Sequence, residues 1–389
     1  MIQTVDGGIL SWRRGTGAFM PAITPLSNGG MIACQHVGES LGSADNHIEV
    51  LRSSDQAATW VNGGSIHGGG PPDDGWSYRS PHISEAPGGR LAMTATRFEM
   101  RSHKLFDPNS EVLQRPEMLL FRSDDGGRTW SAPQVVPVDL PPEKYTCNGA
   151  GVLLQLSTDR WMYPLETWKP EGYTGPPDQK AAAVFSADQG RTWGEFTVVA
   201  DDPSGELLWW DQMNTALPDG RIYTMLWTHV YGTSEDLPNH WTVSDDGGRT
   251  WSAPRPTNLR GQVCSPIALA DGRVAAIYNF RREPHGIRVA ISEDLETFDL
   301  DGQVVVFDAG AEATLGEPET DNFLAEHMQI AFGKPGGIRL DDGDLMTYFW
   351  CTVGGVTHTR WVRLKIDKRV ARRRQPDIGD GERERNRPG

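Results

Sequence analysis

At 389 residues, with 44 Gly and 27 Pro and no long run of helix formers, the chain suits many short strands joined by turns. A formal net charge of −15 sets its surface against phosphate backbones and excludes nucleic acid as an expected partner. No 18-residue apolar run offers a membrane span, and the first 30 residues lack a basic and then apolar leader. The chain as written is therefore expected in the cytoplasm, or outside the cell if a leader has been removed. Four cysteines (Cys34, Cys147, Cys264, Cys351) form no CxxC pair, so neither a zinc site nor a disulfide framework is expected.

Taken in chain order, the first strand signal is Gly8-Ile-Leu-Ser-Trp12. Pro21-Ala-Ile, a turn at Ser27-Asn-Gly-Gly30 and Met31-Ile-Ala then read as a hairpin, because Asn-Gly between apolar runs supplies the positive φ of a tight turn. Five further hairpins follow, around Gly88-Gly-Arg90, Thr158-Asp-Arg160, Pro218-Asp-Gly220, Asp271-Gly-Arg273 and Asp341-Asp-Gly343. The last strand is Thr359-Arg-Trp-Val-Arg-Leu-Lys-Ile366, and the polar residues 367–389 are expected to form a disordered tail.

Out of phase with the hairpins runs a second repeat. Ser123-Asp-Asp-Gly-Gly-Arg-Thr-Trp130, Ser186-Ala-Asp-Gln-Gly-Arg-Thr-Trp193 and Ser244-Asp-Asp-Gly-Gly-Arg-Thr-Trp251 are nearly identical, and decayed copies start at Ser53 and Ser292. In each, Ser and Asp can bond the backbone of a turn, Gly supplies φ > 0 and Trp wedges between sheets. Irregular spacing rules out a solenoid and fits blades with variable loops. Six hairpins give an all-β, six-bladed β-propeller over residues 1–366. Its ring closes by pairing the first strand with the last, and its repeated Asp residues are structural.

These boxes, with Pro-Ala-Ile and a following turn, resemble the sialidase (neuraminidase) superfamily of Asp-box, or BNR-repeat, propellers. The resemblance implies a carbohydrate ligand, no cofactor and no metal. It places a general acid at Asp45, in Gly42-Ser-Ala-Asp45-Asn-His-Ile, and a second carboxylate at Asp211, in Trp209-Trp-Asp-Gln-Met213. Two family residues are absent: Phe19 stands where the carboxylate-clamping Arg is expected, and Phe332-Gly-Lys-Pro335 holds no Tyr nucleophile.

Long B–C loops in blades one to four, and a long approach to blade six at 310–332, mark the mouth. The richest constellation is Trp76-Ser-Tyr78-Arg79-Ser-Pro-His82, where strand alternation sets Tyr78 and His82 on one face and Arg79 on the other. Arg79, His47, Arg97, Trp210, Gln212, Arg281, His327 and Lys334 are candidate contacts to a sugar, with Trp209 and Trp210 as a possible aromatic platform. Three functions stay open. The first is an exo-acting glycoside hydrolase on an acidic or hydroxyl-rich glycan, using Asp45 and Asp211. The second is a uronate-directed lyase, with Tyr78 or His82 as base and Arg79 neutralising the carboxylate. The third is a glycan-binding propeller without catalysis.

Overall fold

The computed structural model describes residues 1–66, 75–100, 105–107, 112–149, 151–313 and 331–367. After strand β1 (Ile2–Ser11), the chain lays down β2 (Gly17–Pro25), β3 (Met31–Gly38), β4 (His47–Ser53) and β5 (Val61–Ser65) as blade one. Blade two is β6 (Trp76–Ala86), β7 (Arg90–Glu99), β10 (Pro116–Ser123) and β11 (Gln134–Val135), with the short ribbon β8 (Phe106–Asp107) and β9 (Val112–Leu113) between its second and third strands. In blade three the innermost strand is split into β12 (Thr146–Gly149) and β13 (Leu154–Gln155), followed by β14 (Trp161–Trp168), β15 (Ala181–Ser186) and β16 (Gly194–Ala200).

Blade four comprises β17 (Leu207–Ala216), β18 (Ile222–Val230), β19 (His240–Ser244) and β20 (Arg255–Pro256). Blade five comprises β21 (Cys264–Ala268), β22 (Val274–Phe280), β23 (Gly286–Ser292) and β24 (Val304–Asp308), which leads into the one-turn helix α1 (Ala309–Glu312). Blade six is β25 (Phe332–Arg339), β26 (Leu345–Val353) and β27 (Val356–Ile366), with β1 as its outermost strand. The expected closure holds and is longer than read from sequence, with Ile2 opposite Ile366 and Ser11 opposite Thr359.

The five Asp boxes fill the turns between third and fourth strands. Each Ser hydroxyl donates to its Asp at 2.8–2.9 Å, as in Ser123 to Asp125 and Ser244 to Asp246. The same Asp accepts the backbone N–H of a Thr, at 2.9 Å for Thr129 and Thr250. Blade six lacks a box for a topological reason: its third and fourth strands come from opposite chain ends. Arginines tie boxes to neighbouring blades, since Arg52, Arg122 and Arg160 donate to the carbonyls of Gly126, Gly190 and Gly247. The core is accordingly a ring of sheet-on-sheet contacts, such as Ile32, Leu91 and Phe121 between blades one and two, and Ala276, Tyr223 and Trp241 between blades four and five.

The seam between blades six and one carries its own polar brace. Thr359 Oγ1 donates to Gln35 Oε1 at 2.7 Å, Gln35 Nε2 donates to Glu49 at 3.2 Å, and Arg13 grips Glu49 at 2.6 and 2.7 Å. Gln35 and Thr359 are fully buried, so each needs the other.

One irregularity recurs where the site is built. The innermost strands of blades one, two, four and six each bulge, so that two residues oppose one on the neighbouring strand. The first of the two has positive φ: Met20 (47°), Ser80 (49°), Asp211 (47°) and Lys334 (41°). The second is Pro21, Pro81, Gln212 or Pro335, and proline is tolerated there because a bulge residue donates no ladder hydrogen bond. The bulge at Ser80 breaks the alternation assumed for Tyr78, Arg79 and His82.

Deleting residues 1–12 bares the edge of β27 and one wall of the seam. Calorimetry should show a lower Tm and loss of a single cooperative transition; an unchanged Tm would show that the closure carries no stability.

Candidate active site

Among the described residues, two of the cavities along the ring bear on the site. The axial one, about 450 Å³, is bounded by the innermost strands, including Ile23, His82, Leu153 and Ile338. The other, about 210 Å³, is bounded by bulge residues Met20, Asp211 and Lys334 and by the ends of second strands, including Glu166, Trp168, Trp227, Arg281 and Trp350. Chemistry is concentrated in the second.

At its centre stand Glu166, Asp211 and Lys334. Positive φ at Asp211 and Lys334 turns both side chains out of the strand pattern, and the Lys334 ammonium forms an ion pair with the Asp211 carboxylate across the ring from blade six to blade four. Glu166, near the end of β14, is 4% exposed. Its carboxyl accepts the backbone N–H of Asp211 and, at 3.2 Å, the indole N–H of Trp168. Burial first, and then the Asp211 charge, raise the Glu166 pKa well above the ordinary carboxyl range, while Lys334 pulls it back. A buried carboxyl with a raised pKa thus sits beside an ion-paired one.

Aromatic rings form one wall. Trp210 is sandwiched between Trp168, parallel at 6.0 Å, and His229 at 4.8 Å, with Trp227 edge-on at 4.9 Å. Opposite lies Arg281, its guanidinium 4.0 Å over the Phe332 ring, with Nη2 donating to the Phe332 carbonyl and Nε to Gln262 at 3.3 Å. Burial lowers the Arg281 pKa. Gly333 permits this approach, since a Cβ there would lie 3.1 Å from both Arg281 Nη2 and Trp350 Nε1. Asn148, Gln262 and Asn279 add amides to the lining.

Of the residues singled out from sequence, Asp211, Trp210, Arg281 and Lys334 line this cavity; the others that can be placed do not. Asp45 closes its own loop, both oxygens accepting the Glu39 N–H at 3.0–3.1 Å, so the expected pairing of Asp45 with Asp211 is not formed. Tyr78 is a core residue, 1% exposed, whose hydroxyl meets Arg97 at 3.3 Å. Arg79 is buried and braces the same loop, donating to the carbonyls of Leu41 and Ser43 at 2.9 and 3.1 Å. His82 faces the axial cavity beyond the bulge, and burial, with Lys334 second, lowers its pKa to about 4. Tyr78, Arg79 and His82 therefore do not form the base and charge neutraliser that elimination requires.

His47 bonds the Asp45 carbonyl, and Arg97 is held by Glu117 at 2.6 Å with Trp76 beneath it. Gln212 is fully buried and donates to the carbonyls of Leu165 and Ala182, occupying the slot that proline fills in the other bulges. Trp209 belongs to the core against His240. His327 lies outside the described residues. Glu166, Trp168 and Trp227 were missed as site residues; the usable signal was Leu165-Glu-Thr-Trp168, an acid and an aromatic ending a second strand.

A sequence profile of the BNR repeat-like domain matches residues 105–314, more than half of the chain, and the protein belongs to that family. A sialidase of Micromonospora viridifaciens is 26% identical over 245 residues, 56% of this chain and 35% of that protein, so the match spans about a third of its length. Among solved structures, a Dyadobacter fermentans protein of unknown function superposes with a TM-score of 0.71 at 20% identity, covering 94% of this chain and 99% of that one. A Penicillium chrysogenum α-L-arabinanase in complex with arabinobiose superposes at 0.60 with 14% identity, covering 93% and 98%. At these identities the two structures show the fold alone, a β-propeller.

Because Trp168 donates to Glu166, tryptophan fluorescence should report the carboxyl's titration. A transition with its midpoint above the ordinary ~4.3 of glutamate should vanish in Glu166→Gln and move higher in Lys334→Met. A raised carboxyl pKa means stability is fully present below the unfolded-state value and lost as pH rises through the folded one. Glu166→Gln should therefore melt higher than the parent at alkaline pH; identical melting curves and no such transition would contradict this electrostatic assignment.

Proposed function

We propose that the protein is an exo-acting glycoside hydrolase on an acidic or hydroxyl-rich glycan, with Glu166 and Asp211 as its two carboxyl groups. The observation that carries this reading is their contrast: Glu166 is buried, with its pKa raised by burial and by the Asp211 charge, while Asp211 is ion-paired to Lys334 in the same tryptophan-walled cavity. Glycosidases divide acid and base, or acid and nucleophile, between two carboxyl groups whose environments differ in this way.

In the proposed reaction Glu166 gives its proton to the glycosidic oxygen. Asp211 acts at the anomeric centre, either directly or through a water. As Glu166 loses its proton, Lys334 stabilises the negative charge that the buried pair acquires. Trp168, Trp210 and Trp227 offer flat apolar faces to a sugar ring, and Asn148, Gln262 and Asn279 offer hydrogen bonds to hydroxyls. A cavity of about 210 Å³ suits a terminal sugar, which supports exo action. Asp45, first expected as the acid, is replaced by Glu166 because Glu166 lines the cavity with Asp211 and Asp45 does not.

Glu166→Gln should lower turnover by about 10²–10⁴, the usual worth of acid–base catalysis, and spare substrates whose leaving group needs no proton. Asp211→Asn should abolish turnover of both substrate kinds. Full activity in either variant would sink the reading. Phe19 is buried against His36 and Trp350, so no cation stands at that position to clamp a carboxylate. 4-Methylumbelliferyl sialic acid should accordingly be a poor substrate, and efficient cleavage would show the clamp to lie elsewhere.

A further inference from the structure

Beside the mouth cavity lies a second one of about 200 Å³. Gln262 and Arg281 line both, and Ser234, Asp236, Arg260 and Arg282 add to the walls of the second. Three guanidinium groups thus line its walls from two segments: the connection from blade four to blade five (Arg260) and the loop after β22 (Arg281 and Arg282).

Their charge is poorly matched by protein acids. Among the described residues none of the three arginines forms an ion pair, although the chain carries a formal charge of −15. Arg260 and Arg282 are exposed, and Arg282 reaches only the Asp236 carbonyl at 3.5 Å. Arg281 uses Nε and Nη2, while its Nη1 is buried without a hydrogen-bond partner. A buried donor left unpaired is costly, so it marks a place for an acceptor.

The single carboxylate present is committed to the wall. Asp236 Oδ1 accepts from Trp227 Nε1 at 2.7 Å and sits 3.0 Å from His229 Nδ1, and Oδ2 accepts from Gln262 at 3.2 Å. It fixes the partition between the two cavities, with Trp227 facing one side and Gln262 both. One carboxylate against three guanidinium groups leaves positive charge in excess in this cavity.

We propose that this second cavity is a subsite for an anionic group, a carboxylate or a sulfate ester, carried by the glycan whose reacting sugar occupies the mouth cavity. The proposal rests on the glycoside reading for its ligand class, and not on Glu166 or Asp211. Guanidinium forks pair with planar or tetrahedral oxyanions through parallel hydrogen bonds, and arginines from separate loops converge on one group without bonding each other. The subsite selects the acidic members among otherwise similar glycans.

Calorimetric titration of the full chain with tetragalacturonate, a κ-carrageenan tetrasaccharide and neutral galactotetraose tests this. At least one anionic ligand should bind about tenfold more tightly than galactotetraose, with the preference weakened by salt. Which anionic ligand binds better distinguishes carboxylate from sulfate. The Arg260→Gln/Arg282→Gln double variant should lose that preference while keeping its Tm and its affinity for galactotetraose. Equal binding of neutral and anionic ligands, no binding of either anionic ligand, or a preference that survives in the double variant overturns the subsite. Anion preference without any turnover leaves the subsite standing and sinks the hydrolase; turnover of neutral glycosides without anion preference does the reverse.

Discussion

A β-strand sends successive side chains to opposite faces, so a strand lodged between two blades cannot point neighbouring residues into a central mouth without breaking step. Here four innermost strands break step at the same level, each through a bulge whose first residue has positive φ. That constraint places Asp211 and Lys334, from blades four and six, in contact across the ring. Two of the four bulges carry charge, while Met20 brings a thioether and Ser80 a hydroxyl bonded to it at 3.1 Å. The scaffold is near-repetitive, and the chemistry comes from what each blade puts at one equivalent position.

The electrostatics follow from this placement. Because Lys334 reaches Asp211, two carboxyl groups and one ammonium share a small desolvated volume, and the most buried carboxyl, Glu166, takes up the proton. The aromatic wall strengthens the effect by excluding water, and Asp236 holds that wall in place through Trp227 and His229. A continuous surface thus runs from Glu166 through the packed rings of Trp168, Trp210 and Trp227 to the hydrogen-bonded Asp236, Gln262 and Arg281. It joins the reacting centre to the arginine-lined cavity beside it.

The fold was legible because its devices are repeated and local. Asn-Gly and Asp-Gly turns, five Asp boxes and the unpaired first and last strands each have a physical reading that needs no distant residue. The site was half legible. Asp211, Trp210, Arg281 and Lys334 lie where position along a blade predicted, at the mouth ends of first and second strands. Tyr78, Arg79 and His82 misled because strict alternation was assumed through Ser80-Pro81, where the bulge reverses it. Three of the four bulges have proline second, in Met20-Pro21, Ser80-Pro81 and Lys334-Pro335, and that recurrence was visible without being read as a backbone device. Glu166 was hidden for another reason: its raised pKa comes first from burial in the folded ring and then from the charge of Asp211, 45 residues away in sequence.

The account turns on one proton. Infrared difference spectroscopy of the parent protein against Glu166→Gln, at neutral pH in H₂O and D₂O, isolates the C=O stretch of a protonated carboxyl from those of ionised ones. The account predicts such a band in the parent, shifted by deuterium, missing from Glu166→Gln and weakened in Asp211→Asn, which removes a charge that raises the Glu166 pKa and frees Lys334 to lower it. A parent spectrum with no protonated carboxyl assignable to Glu166 at neutral pH would contradict it.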